Sequence, residues 1–259
     1  MIPVQPGDWA GRDVLVVAPH PDDEAIGAGG TVHLLAAAGA RVAVVIMARG
    51  DGGIAPGADA PSVEQRREES IASCQALGTL EPVFLDLKSS AIREDPGAAA
   101  RVLADAVGEA GADLVLVPSP LERHDTHRAC LVAALLSGVG RPGATVWGYG
   151  AWDAVPAWPG VLEVDVTPAR VAKTMAVRAH ASQDSARGLA AAILFRDGAQ
   201  AAFSRITGSE SRKAVERLID LTSLQRDRSP GESASDLAAR VTAWTIKQTA
   251  NWVTSLWSR

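Results

Sequence analysis

The chain has little cysteine, few aromatic residues and no long uninterrupted apolar run. Only two of its 259 residues are cysteines and 4% are aromatic, although 47% are hydrophobic. Cys74 and Cys130 lack C-x-x-C spacing, so neither a thiolate metal site nor a disulfide framework is indicated, and we expect two buried thiols. No segment approaches the roughly 18 apolar residues of a membrane span, and the start lacks the features of a signal peptide. We therefore expect a cytoplasmic protein without a membrane span.

Positive charge is not in excess either. The 25 lysines and arginines face 30 aspartates and glutamates, which gives a formal net charge of -5. Nucleic acids are bound by clustered positive surface, so this balance argues against a nucleic-acid partner. The hydrophobic content suffices for one large α/β domain, or one domain with a small appendage, and it excludes a disordered or fibrous chain.

The first two thirds of the chain alternate short apolar runs with longer helical patterns. Residues 13–18 predict a buried strand, residues 25–38 a helix of small residues, and residues 41–47 the next strand. Such alternation is typical of a Rossmann-like α/β fold with a mostly parallel sheet flanked by helices. Further strands are predicted at 83–87, 113–117, 145–149 and 161–166, and further helices at 62–77, 97–110 and 125–136.

After about residue 184 the pattern is helical and weaker. Residues 233–257 place Leu237, Val241 and Trp244 on one stripe of a helix, which indicates docking on the domain or on another subunit of a homo-oligomer. We predict one domain over residues 1–205 and a helical C-terminal extension over residues 206–259.

Two loops that follow predicted strands carry the candidate chemistry. Sites in parallel α/β sheets lie at the carboxyl ends of strands. The first loop is PHPDDE, residues 19–24, where one imidazole and three carboxylates would repel each other unless a cation were bound. His20 and Asp23 could both contact one metal ion, which leaves Asp22 free to take a proton from a water molecule. The alternative is that Asp22 or Asp23 only caps the following helix.

The second loop is SPLERHDTH, residues 119–127. His124 and His127 are three residues apart and could supply a third metal ligand and a second catalytic imidazole. A surface pair of histidines is the alternative. Together with His20 and Asp23, His127 completes three ligands with an open fourth position, which is the arrangement of catalytic zinc and implies hydrolysis.

These motifs resemble the PIG-L/LmbE family of zinc deacetylases, which act on N-acetylglucosaminyl-phosphatidylinositol, on mycothiol and bacillithiol precursors, and on glycopeptide antibiotics. The resemblance spans about residues 13–205. APHPDDE at residues 18–24 is close to the family's A-H-P-D-D-E, and residues 124–129 resemble H-x-D-H-R-A. Weaker agreement follows at residues 50–53, 66–69, 149–152, 165–167 and 180–183.

The resemblance implies a role for each of these residues. His20, Asp23 and His127 would bind Zn²⁺, Asp22 would be the general base, and His124 would stabilise the oxyanion or protonate the leaving amine. Asp51 and Arg66 would contact the substrate, although Arg66 could instead form an ordinary ion pair with Glu69. The implied substrate is a small N-acetylated sugar or glycoconjugate.

Two positions depart from the family's pattern. Thr126 stands where an acid usually precedes the last metal ligand, which leaves the role of His124 less firmly set. Ser89 stands near the position of an aspartate that contacts the sugar in many members, so substrate recognition could differ here.

Three alternatives remain open at this point. Gly27, Gly29 and Gly30 could indicate a dinucleotide-binding module, but their spacing is wrong for G-x-G-x-x-G and they follow an acidic loop, so close packing of a helix on the sheet is favoured. A non-catalytic sugar-binding relative is the second alternative, with Trp147, Trp152 and Trp158 lining its surface. The third is a deacylase that removes a different acyl group from a natural-product glycoside.

Overall fold

The computed structural model describes residues 2–50, 61–108, 111–157, 160–183, 186–206 and 214–257. Within these ranges a sheet of eight strands runs through the protein in the order β1-β7-β8-β6-β5-β2-β3-β4. Neighbouring strands are parallel except at β8, which is antiparallel to both β6 and β7. The strands are β1 (Ile2–Pro3), β2 (Asp13–Ala18), β3 (Arg41–Ala48), β4 (Val83–Leu87), β5 (Ala112–Pro118), β6 (Gly140–Tyr149), β7 (Leu162–Asp165) and β8 (Val215–Asp220).

Helices cover both faces of the sheet. Alternate residues of β2 enter two separate cores: Val14 and Val16 pack on one side, and Leu15 and Val17 on the other. The predicted Rossmann-like α/β fold is therefore confirmed. The helices in the described ranges are α1 (Asp23–Ala37), α2 (Val63–Leu77), α3 (Ser89–Glu94), α4 (Pro96–Val107), α5 (Asp125–Ser137), α6 (Arg170–Ala179), α7 (Ala186–Ile206), α8 (Thr222–Arg226) and α9 (Ala234–Trp257), with a 3-10 helix at Pro6–Trp9.

The glycines of α1 allow this helix to approach the sheet closely. A Cβ atom on Gly27 would lie 2.3 Å from Cδ2 of Tyr149, and one on Gly30 would lie 2.6 Å from Cβ of Val166. Neither gap leaves room for a side chain. These glycines therefore serve packing, as the sequence analysis favours.

The C-terminal segment is not wholly helical, because β8 is inserted between β6 and β7. The sequence pattern does not predict this strand. Two of its six residues are charged and buried: Glu216 contacts Lys173 at 2.6 Å, and Arg217 contacts Glu163 at 3.0 Å. These charged residues interrupt the apolar pattern that is typical of a core strand. Because each has a partner of opposite charge, the strand can still be buried. The division of the chain at residue 205 stays a prediction.

Helix α9 docks on the domain in the part of the chain that the structure describes. Leu237 and Val241 are buried in the core that also contains side chains of α5. Among the described helices, none is both long and apolar enough to cross a membrane. Homo-oligomerisation through this helix stays a prediction.

The sheet changes direction at β2, which lies between β3 and β5. From β2 the chain continues through β3 to β4 at one edge, and it then returns to the other side of β2 to form β5. The loops that follow β2 and β5 therefore meet at the carboxyl ends of adjacent strands. Ligands bind at such switch points in open α/β sheets.

Candidate active site

The loops after β2 and β5 bring together His20, Asp23 and His127. Asp23 Oδ2 lies 3.1 Å from Nδ1 of His20 and 3.2 Å from Nε2 of His127. One ligand atom from each residue lies within 4.8 Å of those of the other two. The structure thus places the three residues predicted as metal ligands around one point.

Asp23 is held in this position from two other directions. The backbone N–H of His20 donates to Asp23 Oδ2 at 2.9 Å, and the indole N–H of Trp152 donates to Oδ1 at 3.2 Å. Burial alone would raise the pKa of Asp23, but His127 and His20 hold it well below its usual range. Asp23 is therefore an ionised carboxylate, as a metal ligand must be.

Glu122 is a site residue that the sequence analysis missed. Its side chain is fully buried, and Oε2 lies 3.2 Å from Nδ1 of His127. Its other oxygen, Oε1, accepts hydrogen bonds from the backbone N–H groups of Ala151, Trp152 and Asp153 at 2.6, 3.2 and 3.4 Å. The available signal was its position in the loop after β5, but nothing local distinguishes it from a surface acid.

Asp22 adjoins the ligands and lines the same cavity. It occupies the N-cap position of α1 at φ 124°, yet its side chain makes no capping hydrogen bond. Such a conformation costs a non-glycine residue on the order of 1–3 kcal/mol and is commonly retained at functional sites. Burial raises the pKa of Asp22 to about 7, and the charge of Asp23 adds to this effect. Asp22 can therefore exchange a proton near neutral pH.

Arg66 contacts Asp22 and does not form the ion pair with Glu69 that was the alternative to a substrate contact. Its Nη2 lies 3.4 Å from Asp22 Oδ2 and donates to the carbonyl of Pro21 at 2.5 Å, while Nη1 donates to the carbonyl of Gly50 at 3.2 Å. Glu69 instead accepts two hydrogen bonds from Ser182. Arg66 is buried but borders the cavity, so it holds the loop that carries Asp22.

His124 is exposed, lines the cavity and lies next to His20 and His127. Its ring centroid is 5.2 Å from that of His20 and 4.7 Å from that of His127. Partial burial lowers the pKa of His124, and the neighbouring His127 and His20 lower it further. His124 is consequently a neutral imidazole at neutral pH, able to donate or accept one hydrogen bond.

A buried group lies behind the loop that carries Asp22. Glu24 is 3.8 Å from Nε2 of His180 and accepts a hydrogen bond from Ser73 at 3.2 Å. Burial alone would lower the pKa of His180, but Glu24 raises it. His180 is therefore buried next to an acid and does not line the cavity, whereas Gln183 on the same segment does. His33 lies outside this group: its Nδ1–H donates to the carbonyl oxygen of Leu77 at 3.1 Å.

The cavity has a volume of about 720 Å³. Besides the three ligands, its lining includes Asp22, Ser89, Arg93, His124 and Trp152. Asp51, predicted to contact substrate, lies outside the described residues, as does Trp158. Trp147 is buried against Trp9 and not in this cavity, with ring centroids 5.2 Å apart.

The residues present fit a divalent metal ion. Two imidazoles and one ionised carboxylate form the donor set, and a cavity adjoins them. Both ring nitrogens of buried His127 lack a well-aligned hydrogen bond. With Nδ1 facing Glu122, a neutral His127 has its Nε2 lone pair available for a metal. Three N/O ligands beside an open position are the arrangement of a catalytic site rather than a structural one.

The fold and this site define an α/β protein with a candidate catalytic metal centre at its switch point. Residues 15–136 match the family model for PIG-L, described as GlcNAc-PI de-N-acetylase. The matched segment runs from β2 into α5 and includes His20, Asp23 and His127. No curated protein has a significantly similar sequence.

Solved structures share the fold at low sequence identity. N,N'-diacetylchitobiose deacetylase from Pyrococcus horikoshii has a TM-score of 0.64 and 23% identity, covering 85% of this chain and 87% of that one. A zinc-inhibited form of teicoplanin deacetylase has a TM-score of 0.61 and 19% identity, covering 80% and 98%. GalB, the 4-carboxy-2-hydroxymuconate hydratase from Pseudomonas putida, has a TM-score of 0.58 and 20% identity, covering 81% and 96%. The fold thus occurs with more than one reaction.

Proposed function

We propose that this protein is a zinc-dependent hydrolase that removes the acetyl group from an N-acetylated sugar or glycoconjugate. The observation that carries the proposal is the convergence of His20, Asp23 and His127 on a cavity that Asp22 also lines. The PIG-L domain and the deacetylases among the structural neighbours support the same reaction. Two imidazoles and a carboxylate favour zinc over the all-oxygen sites of magnesium or calcium.

The ligand residues would hold the ion, and it would supply Lewis acidity to the amide carbonyl and acidify a water molecule. Asp22 then serves as the general base that takes a proton from the attacking water. In the metal-free protein, burial and the charge of Asp23 raise the pKa of the Asp22 carboxyl group to about 7. Arg66 positions Asp22 through its contact at 3.4 Å.

His124, which lines the same cavity, provides the complementary group. As a neutral imidazole it can donate a hydrogen bond to the oxygen that becomes negative during attack, or pass a proton to the departing amine. Trp152 has 49% of its surface exposed and lines the cavity, where its ring offers an apolar face to a sugar. The volume of about 720 Å³ suits a sugar with part of its aglycone.

Acetate release tests the proposal. Purified protein is stripped of metal with a chelator, reloaded with Zn²⁺ and incubated with a panel of N-acetylglucosaminides, and acetate and free amine are quantified together. We expect equal amounts of both products only after reloading. Zinc-loaded protein that releases neither product would contradict the proposal, and hydration of an unsaturated acid by the same preparation would favour the chemistry of the hydratase.

A further inference from the structure

Three arginines line the cavity, and they differ in their partners. Arg66 contacts Asp22 at 3.4 Å, and Arg123 contacts Asp153 at 2.8 Å. Arg93 has no carboxylate within ion-pair distance among the described residues. Its Nη1 donates to the hydroxyl of Thr126 at 2.9 Å, which is neutral. Arg93 therefore brings an uncompensated positive charge to the cavity.

The acids closest to Arg93 in the chain and in the site have other partners. Asp95, two residues further along the chain, accepts a hydrogen bond from the backbone of Ala98 at 2.8 Å. Asp23 is surrounded by imidazoles and the indole of Trp152. An acid at position 126 would lie within reach of the guanidinium, but that position is a buried threonine.

Helix α3 fixes the distance between this charge and the metal ligands. Ser89 and Arg93 are four residues apart and lie on one face of the helix, so their Cβ atoms are about 5–6 Å apart. Ser89 Oγ lies 3.3 Å from Nε2 of His20. Arg93 lines the same cavity as the ligand group, and its Nη1 contacts Thr126, the residue before His127.

A neutral substrate that covered Arg93 would remove its water without supplying a compensating charge, which is unfavourable for a guanidinium. A carboxylate or phosphate would instead receive charge-assisted hydrogen bonds from the free part of the guanidinium fork. We propose that Arg93 is an anion subsite of this cavity and that the substrate carries a carboxylate or phosphate close to its acetamido group. This inference rests on the proposed function for the identity of the reacting group.

Pairs of charged and neutral ligands test whether Arg93 recognises negative charge, and two such pairs distinguish a carboxylate from a phosphate. Carboxymethyl N-acetylglucosaminide is compared with its carboxamidomethyl analogue, and N-acetylglucosamine 1-phosphate is compared with methyl N-acetylglucosaminide. Binding is measured calorimetrically on zinc-loaded Asp22→Asn protein, which prevents turnover, and kcat/KM is measured on the wild type. We expect one anionic ligand to be preferred over its neutral analogue by at least about tenfold in both measurements.

Arg93→Gln should remove this preference, and Arg93→Lys should retain part of it. Arg101→Gln is the control, because it changes the net charge equally at an exposed site that does not line the cavity. If both pairs bind and react with equal efficiency, or if Arg93→Gln keeps the preference, the anion subsite is wrong while the deacetylase proposal stands. If the anionic ligand binds more tightly through Arg93 but no acetate is released, the proposed function fails and the subsite stands.

Discussion

Glu122 Oε2 lies 3.2 Å from Nδ1 of His127, and the same carboxylate accepts three backbone N–H groups from residues 151–153. Because Trp152 in that segment donates to Asp23, Glu122 acts on two of the proposed metal ligands: directly on His127 and through the backbone on Asp23. Carboxylates next to ligating histidines fix the tautomer and the orientation of the ring. Glu122 is therefore a positioning residue for the metal site.

Glu122→Gln should weaken zinc binding by about 10- to 100-fold. The neutral amide is a weaker acceptor for the Nδ1–H of His127 than the carboxylate is. A competition titration with a chromophoric chelator measures the affinity. Glu68→Gln, an exposed change on α2, is the matched control. Unchanged zinc affinity in folded Glu122→Gln protein would show that Glu122 does not position His127.

Metal binding should release a proton from His127. Burial disfavours the imidazolium, but Asp23 and Glu122 outweigh this and raise the pKa of His127 to about 10 in the metal-free protein. At pH 7 the ring is therefore protonated, and a metal ion must displace the proton before it can bind. The affinity should rise as the pH rises toward 10, by up to about tenfold per pH unit for one proton.

Calorimetry in two buffers of different ionisation enthalpy counts that proton. We expect about one proton to be released from His127 for each zinc ion bound at pH 7. An affinity that does not change between pH 6 and pH 8 would mean that His127 is already neutral or is not a ligand.

Lys173 should be essential for stability. Its Nζ lies 2.6 Å from both Asp197 and Glu216, and all three side chains are buried, so they join α6, α7 and β8. Lys173→Met leaves Glu216 without an ion pair among the described residues and leaves Asp197 with only Arg196, at 3.3 Å, so it should lower the free energy of unfolding by about 3–5 kcal/mol. Lys247→Met, at an exposed position of α9, should change it little. Urea denaturation measures both, and similar values for the two variants would contradict the structural role.

The ion pairs of Lys173 also test the predicted domain boundary at residue 205. A protein ending at residue 205 would lack β8 and Glu216, which also accepts hydrogen bonds from Gly30 and Thr31 of α1. We expect it to be insoluble or to lose cooperative thermal unfolding. A stable, cooperatively folding fragment would support residues 1–205 as an independent domain.

Local sequence patterns were sufficient to predict the elements whose burial and chemistry depend on residues close together in the chain. Strand β2, the small-residue helix α1 and helix α2 were all predictable, and the predicted range of 62–77 for α2 agrees with the observed Val63–Leu77. The convergence of His20, Asp23 and His127 was predictable as well, because each follows a strand that ends at the same edge of the sheet.

Features that depend on distant partners were not predictable. Strand β8 contains buried charges whose partners lie on β7 and α6, and α3 is a short polar helix without an apolar stripe. The role of Glu122 depends on residues 151–153, about 30 positions away. Each of these interactions forms only after the sheet has assembled.

The most direct test of the account is acetate release by zinc-loaded Asp22→Asn protein. The amide keeps the size of the side chain but cannot accept a proton from water, so kcat should fall by about 10²- to 10⁴-fold relative to the wild type. Zinc content, measured on the same samples, should stay at one ion per chain, because His20, Asp23 and His127 are retained. Acetate release within tenfold of the wild type at equal zinc content would contradict the assignment of Asp22 as the base.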